Sequence, residues 1–429
     1  MAHSLYKDKK VGIWGLGKTG QSVLSFIAPH VASLTVIESA PLSPEQQKLL
    51  QTHNAQLVPA DYLSQFLELN DIIIPSPGVD LSRYSEWSGK FVSELALFER
   101  HVTQKTIAIT GSVGKTTTVT LLTQLLNRCG IKAIAVGNIG TPMLDILANQ
   151  KNYDVIVLEL SSFQLEQPHT FAPSLAAITN IFPNHLDRHT TMEQYAHAKG
   201  QLLAHQTDEQ WAIIPFEFVD TFIDFTAGQK VVWLSQDAYQ DYITEVLSDV
   251  TFAQNWRLIF ALLNEMGIEP EQVLPHCTSL SIPEHRFERI GTYRGITFYN
   301  DSKATISEST LESLARCANK PVILFLGGIS KGVDRSSLIK QLPKTCKSVI
   351  CFGKEADTLQ QLCAARGLTS SSHPTLESAW NTCTAQASEG DTVLFSPAGA
   401  SYDLFKNYEE RGNAFKKLVT QFSLSATDL

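Results

Sequence analysis

The stretch Ile107-Ala108-Ile109-Thr110-Gly111-Ser112-Val113-Gly114-Lys115-Thr116-Thr117-Thr118 constrains the fold more than any other part of the chain. An apolar β-type run enters a turn with two glycines, and a helix-like stretch leaves it and runs to about Arg128. A strand that passes so tightly into a helix belongs to an α/β unit. Glycines let successive backbone N–H groups curl round a phosphate, and the following helix aims the positive end of its dipole at it. Lys115 can reach the outer phosphates, and Thr116 can offer its hydroxyl to Mg²⁺. The pattern is that of a P-loop, with Ile109 standing where the first glycine is usual. Gly111, Ser112, Val113, Gly114, Lys115, Thr116 and Thr117 are therefore the candidate triphosphate cradle. The alternative is a plain strand-to-helix turn.

Composition leaves room for several such units. The chain has 429 residues, 43% of them hydrophobic and 18% charged, which suggests two to four domains with ample cores. A formal net charge of −9 disfavours a general nucleic-acid binder. The seven cysteines form no CxxC pair, which fits free thiols in a reducing compartment. The polar stretch from Met1 to Lys10 does not read as a signal peptide, and no apolar run approaches a membrane span. The expectation is an acidic, cytoplasmic, multidomain α/β protein without nucleic-acid partners or membrane insertion, acting as a monomer.

Other α/β units flank the P-loop. Val11 to Trp14 reads as a buried strand, followed by Gly15-Leu16-Gly17-Lys18-Thr19-Gly20 and a helix through Phe26. Leu34 to Ile37 is a second strand ending at Glu38, and Asp71 to Ile74 a third, before Pro75-Ser76-Pro77-Gly78. A GxGxxG loop with an acid after the second strand is a dinucleotide-binding signature. Alone it is weak: NAD, a UDP or another diphosphate would use the same amides.

After the P-loop, Ala133 to Val136 ends in Gly137-Asn138-Ile139-Gly140, and Asp154 to Leu158 ends at Glu159. Leu175 to Thr179 runs into Asn180-Ile181-Phe182-Pro183-Asn184-His185. If these strands are parallel, their exits share the edge at which open α/β sheets bind ligands. The P-loop, Asn138, Glu159 and His185 then converge. Glu159 suits Mg²⁺, directly or through water, or else caps a loop. His185 is a ligand, a catalytic group or a structural loop histidine. Met192 to Gln206 looks helical, and there Lys199 reads as an ordinary surface lysine. Asn255 to Met266 is an amphipathic helix, and Trp211 to Leu247 is weakly patterned.

A third unit begins near Pro283-Glu284-His285-Arg286-Phe287-Glu288. Its strands are Ile296 to Tyr299, Val322 to Leu326, Ser348 to Phe352 and Thr392 to Phe395, with helices from about Glu355, Thr375 and Asn407. A P-loop unit between two Rossmann-like units suggests several substrates brought together. The expected domains are 1–95, 96–283 and 284–429.

Taken together the motifs resemble the Mur ligase family, from about Val11 to Phe415. The P-loop, Gly137 to Gly140 and Leu158 to Glu166 (LELSSFQLE) are similar to the family at large. His285 to Glu288 (HRFE), Asn300 to Thr305 (NDSKAT) and Phe395 to Phe415 resemble its D-glutamate-adding members. The resemblance implies ATP-dependent amide-bond formation between D-glutamate and UDP-N-acetylmuramoyl-L-alanine through an acyl phosphate. It implies that Gly15, Lys18, Thr19, Glu38 and Gly78 face the UDP end, and Asn138 and His185 the muramoyl-alanine end. Lys115, Thr116, Asn255, Arg286 and Asp301 would serve ATP. Glu159, Thr116 and His185 would serve two Mg²⁺ ions. Lys199 matches a position that carries a CO₂-derived carbamate, which reverses its surface reading. Lys115, His185, Lys199 and Lys303 would be catalytic, and Thr305, Lys331, Ser401 and Tyr408 would hold D-glutamate.

The chain departs from the family pattern at Val113, where an asparagine is common, and at Asn184, which replaces an aspartate. Ala253-Gln254-Asn255 stands for a Gly-x-His-Asn, and 211–250 is short. The rival readings are a family ligase for a different amino acid and a non-catalytic UDP-sugar sensor. A dehydrogenase has no use for the P-loop.

Overall fold

The computed structural model describes residues 6–243, 247, 250–317 and 320–424. The backbone divides into two compact units. The first runs through Asn180 and resumes over Ala196–Tyr242 and Gln254–Cys277. The second takes Ile181–Tyr195, Ile243–Ala253 and the chain from Thr278 onward.

The first unit carries two sheets. In one, β1 (Lys10–Trp14), β2 (Ser33–Ile37), β3 (Gln56–Val58) and β4 (Ile72–Pro75) lie in the order β3-β2-β1-β4, all parallel. Val11, Ile13, Val36 and Ile74 are buried, which explains their near-continuous apolar runs: a parallel sheet is covered on both faces. The edge strand β3 escapes a reading of the sequence because it is short and two of its three residues are exposed.

The second sheet holds β5 (Lys105–Thr110), β6 (Ala133–Gly137), β7 (Val155–Glu159), β8 (Leu175–Ile178), β9 (Trp211–Pro215) and β10 (Lys230–Leu234). Its order is β10-β9-β8-β5-β7-β6, again all parallel. The weakly patterned region thus supplies two ordered strands, β9 and the edge strand β10. The register sets Ile109 beside Glu159 and Thr110 beside Ile178, so the exits of β5, β7 and β8 share one edge.

In the second unit β11 (Glu288–Tyr293), β12 (Ile296–Asn300), β13 (Val322–Gly327), β14 (Cys346–Phe352), β15 (Ser370–His373) and β16 (Thr392–Phe395) follow the order β11-β12-β16-β13-β14-β15. Only β11 is antiparallel; it forms a hairpin with β12 through Arg294 and Gly295, at φ 53° and 73°. Positive φ at both turn residues matches the twist of a two-residue hairpin. Val322, Leu324 and Leu326 pack on one face with Val349 and Leu394. Ile323 and Phe325 pack on the other with Ile350, Val393 and Phe395. The ring of Phe415, from the last helix (Tyr408–Leu424), stacks on Phe395 at 4.3 Å and 8°.

Candidate active site

The phosphate loop sits where β5 meets the helix Lys115–Arg128. Gly111 and Gly114 have φ of 141° and 86°. A Cβ on Gly111 would lie 2.0 Å from Thr179 Oγ1, and one on Gly114 2.4 Å from Asn255 Oδ1, so neither position admits a side chain. Lys115 Nζ donates to the loop carbonyls of Gly111 at 2.6 Å and Ser112 at 3.0 Å. Thr116 and Thr117 are buried in the first helical turn. Asn255 is brought against Gly114, at the phosphate loop itself.

One strand over, Asn138 Nδ2 donates to Glu159 Oε1 at 2.9 Å. Glu159 is 2% exposed, and its Oε2 is buried without a hydrogen-bond donor. A carboxylate oxygen left so is costly unless a cation meets it, so the residues fit a divalent ion. Lys199, in the helix Met192–Gly200, is buried rather than a surface lysine. Burial first, then the charge of Lys115, hold its pKa well below the ordinary lysine value, against the pull of Glu159. Its Nζ donates to Thr110 Oγ1 at 3.4 Å. A lowered pKa makes the amine easier to free of its proton, and the free amine is the nucleophile that adds to CO₂, so Lys199 fits a carbamate.

In the first sheet, Gly15 turns at φ 93°, with room for a Cβ denied by Ser76 Oγ at 2.7 Å. Lys18 and Thr19 open the helix Lys18–Ile27, with no side-chain cap on its first amides. Glu38 Oε2 accepts from Leu16 N at 2.7 Å, and Oε1 from Ser39 N and Ala40 N at 2.8 and 3.0 Å. Burial raises its pKa, but these amides outweigh that and hold it below the ordinary value. Glu38 therefore shapes the loop. Around Gly78 nothing would meet a Cβ within 4 Å.

His185 belongs to the segment Ile181–Tyr195, which counts with the second unit, and adopts a left-handed φ of 56°. In the same unit Lys331, also left-handed at φ 53°, points Nζ at Asn184 Oδ1, 3.5 Å away. Burial, partly opposed by Asp187, lowers the Lys331 pKa to about 8. The exit of β12 is tightly built. Asp301 accepts from Phe287 N, Ser313 Oγ and Ser396 Oγ at 3.1, 2.7 and 2.8 Å, and Arg286 contributes a neighbouring positive charge. Asp301 thus holds the turn that carries Arg286. Lys303 Nζ lies 4.9 Å from the centre of the Tyr408 ring, and Ser302 Oγ donates to Tyr408 O at 2.8 Å. Ser401 is buried, and Thr305 is half-buried before the helix Ser307–Arg316.

Two residues that sequence reasoning passed over hold these loops. Arg411 is fully buried and donates to Ser302 Oγ, Ser302 O and Gly399 O at 3.0, 2.5 and 2.9 Å. Asn180 grips the phosphate loop. Arg411 had a signal, being a charge inside an amphipathic helix; Asn180 had only its place at a strand exit.

Three sheets, one with an intact phosphate loop and two with polar strand exits, define a multidomain α/β nucleotide-binding protein. Family models match residues 9–85 (Mur ligase MurD-like, N-terminal domain), 109–263 (Mur ligase middle domain) and 285–399 (Mur ligase, glutamate ligase domain). The UDP-N-acetylmuramoylalanine–D-glutamate ligase of Fervidobacterium nodosum is 33% identical over 418 residues, 94% of this chain and 97% of that protein. The ligase of the same name from Koribacter versatilis is 32% identical over 450 residues, 97% of this chain and 98% of that one. The UDP-N-acetylmuramate-alanine ligase MurC of Thermotoga maritima shares the fold, with a TM-score of 0.57 at 16% identity over 97% of this chain and all (100%) of that one. The chain belongs to the Mur ligase family.

Proposed function

We propose that the chain is an ATP-dependent ligase that joins D-glutamate to UDP-N-acetylmuramoyl-L-alanine in peptidoglycan precursor synthesis, acting as a monomer in the cytoplasm. The observation that carries the chemistry is one sheet edge holding a phosphate loop, a Glu159 oxygen without a donor and a desolvated Lys199. The near-full-length similarity to D-glutamate ligases supports the substrates. The proposed domains are 1–95 for the UDP substrate, 96–283 for ATP and 284–429 for ATP and D-glutamate.

Gly15, Lys18, Thr19, Glu38 and Gly78 receive the UDP end, with Glu38 keeping the loop in shape and Asn138 serving the sugar-peptide end. The loop from Gly111 to Thr117 cradles the ATP phosphates, with Asn255, Arg286 and Asp301 completing the nucleotide site. A carboxylate is a poor electrophile, so the alanine carboxylate first takes the γ-phosphoryl group. Lys115 offsets the charge as the two anions meet. Thr116, Glu159, His185 and Lys199 (as its carbamate) would hold Mg²⁺, which screens phosphate charge when bound. To form that carbamate, the Lys199 nitrogen adds to the CO₂ carbon and releases a proton. Thr305, Lys331, Ser401 and Tyr408 hold the carboxylates of D-glutamate, and Lys303 supports the transferred phosphoryl group. The D-glutamate amine attacks the acyl phosphate, a base takes its proton, and phosphate leaves as the amide forms; His185 is the candidate base when its ring is not bound to Mg²⁺.

The test is phosphate release from ATP and UDP-N-acetylmuramoyl-L-alanine with each of several amino acids. D-glutamate should drive it, and Lys115→Ala should abolish it. Release driven by glycine, L-glutamate or diaminopimelate with D-glutamate silent would overturn the substrate. Undiminished cellular function of Lys115→Ala would favour a binding protein over an enzyme.

A further inference from the structure

We propose that Asn180 is a positioning residue that sets the curvature of the phosphate loop for ATP. The inference rests on the reading of that loop as the ATP site. The loop lies between Gly111 and Gly114, both in the left-handed half of backbone space, where glycine imposes no preference of its own. Of the two residues between them, Ser112 and Val113, Val113 brings no polar side chain. Besides the Lys115 bonds to Gly111 O and Ser112 O, the loop is held by a grip on the Val113 backbone from the exit of β8. Asn180 Oδ1 accepts from Val113 N at 2.8 Å, and Asn180 Nδ2 donates to Val113 O at 3.2 Å. Thr179 Oγ1 donates to the same carbonyl at 2.6 Å, and Asn180 O accepts from Ser112 N at 3.0 Å.

The asparagine amide thus pairs with both backbone groups of one residue, as a neighbouring strand would. Asn180 is 7% exposed, so water competes little for these bonds. The pairing turns the Val113 N–H toward the protein. Phosphate contact then falls to the amides at the start of the helix Lys115–Arg128. The curvature is set before nucleotide arrives, which spares ordering at the moment of binding.

The experiment titrates wild type, Asn180→Ala and Asn180→Asp with a fluorescent ATP analogue and Mg²⁺, and measures KM for each of the three substrates. Asn180→Asp keeps the shape and the acceptor for Val113 N–H but loses the donor to Val113 O. Both variants should raise the nucleotide Kd and the ATP KM at least ~tenfold, with the D-glutamate KM within about twofold of wild type. An ATP KM near the wild-type value in both variants overturns the proposal, as does an equal rise for all three substrates, which marks a general structural role. If Asn180→Ala does not fold, the isosteric Asn180→Asp decides. Failure of wild type itself to bind the analogue would instead overturn the reading of the loop as an ATP site.

Discussion

On the proposed reading, Lys199 trades stability for chemistry. Because burial holds its pKa below the ordinary lysine value, folding expels a proton in the pH window between the two. The unfolded chain binds more protons there, so stability rises with pH through that window, and the buried amine costs most below it. Lys199→Met in bicarbonate-free buffer should therefore raise the unfolding midpoint by ~2 °C or more while abolishing turnover. Calorimetry beside a phosphate-release assay reads both; a lower midpoint, or wild-type turnover, contradicts the account. Removing bicarbonate and CO₂ from wild type should also slow it. Lys331 gives a second pH signature. With its pKa lowered to about 8, its ammonium is lost as pH rises through that value. The kcat/KM for D-glutamate, which reports the free enzyme, should fall above pH 8, and Lys331→Arg should flatten that limb. An unchanged profile in Lys331→Arg would remove Lys331 from carboxylate binding.

At the scale of elements, strand exits carry the polar groups and buried staples hold the exits still. Arg411 ties the turn after β12 to the loop after β16 through Ser302 and Gly399. Arg411→Ala leaves three bonds unmade in a dry site and should cost about 3 kcal/mol in urea unfolding. A loss below about 0.5 kcal/mol would show that water replaces the guanidinium. Elements that bury apolar runs were legible in the sequence: β1, β5, β13 and β16 lie where their runs of Val, Ile, Leu and Phe stand. Those held by partners were not. The edge strand β15 reads Ser-Ser-Ser-His and is strand only because β14 pairs with it. The antiparallel β11 depends on the Arg294-Gly295 turn. For the site, the glycine turns and strand-end acids were visible, and the resemblance marked Lys199. Its burial came only from packing, since helix periodicity does not say which neighbours cover a side chain.

Across the whole molecule, the seven cysteines are all free thiols, six buried and only Cys129 partly exposed. Burial pushes Cys277, Cys346 and Cys383 up to about 12, so they are poor thiolates at neutral pH. A native thiol titration should find at most the one at Cys129 reacting quickly, and all seven after denaturation without reductant. Fewer than seven in the denatured chain would reveal a disulfide the fold does not contain. Among the described residues no helix is long and apolar enough to cross a membrane.

The ammonium of Lys115, resting on the carbonyls of Gly111 and Ser112, bears on how a turnover ends. A lysine with no alternative partner would cling to the nucleoside diphosphate and slow its escape. Here two carbonyls of the same loop hold the ammonium, so on the proposed reading of the loop an arriving triphosphate must win it from them and a departing product gives it back. The loop's own backbone acts as a stand-in anion, and it favours exchange of nucleotide over retention.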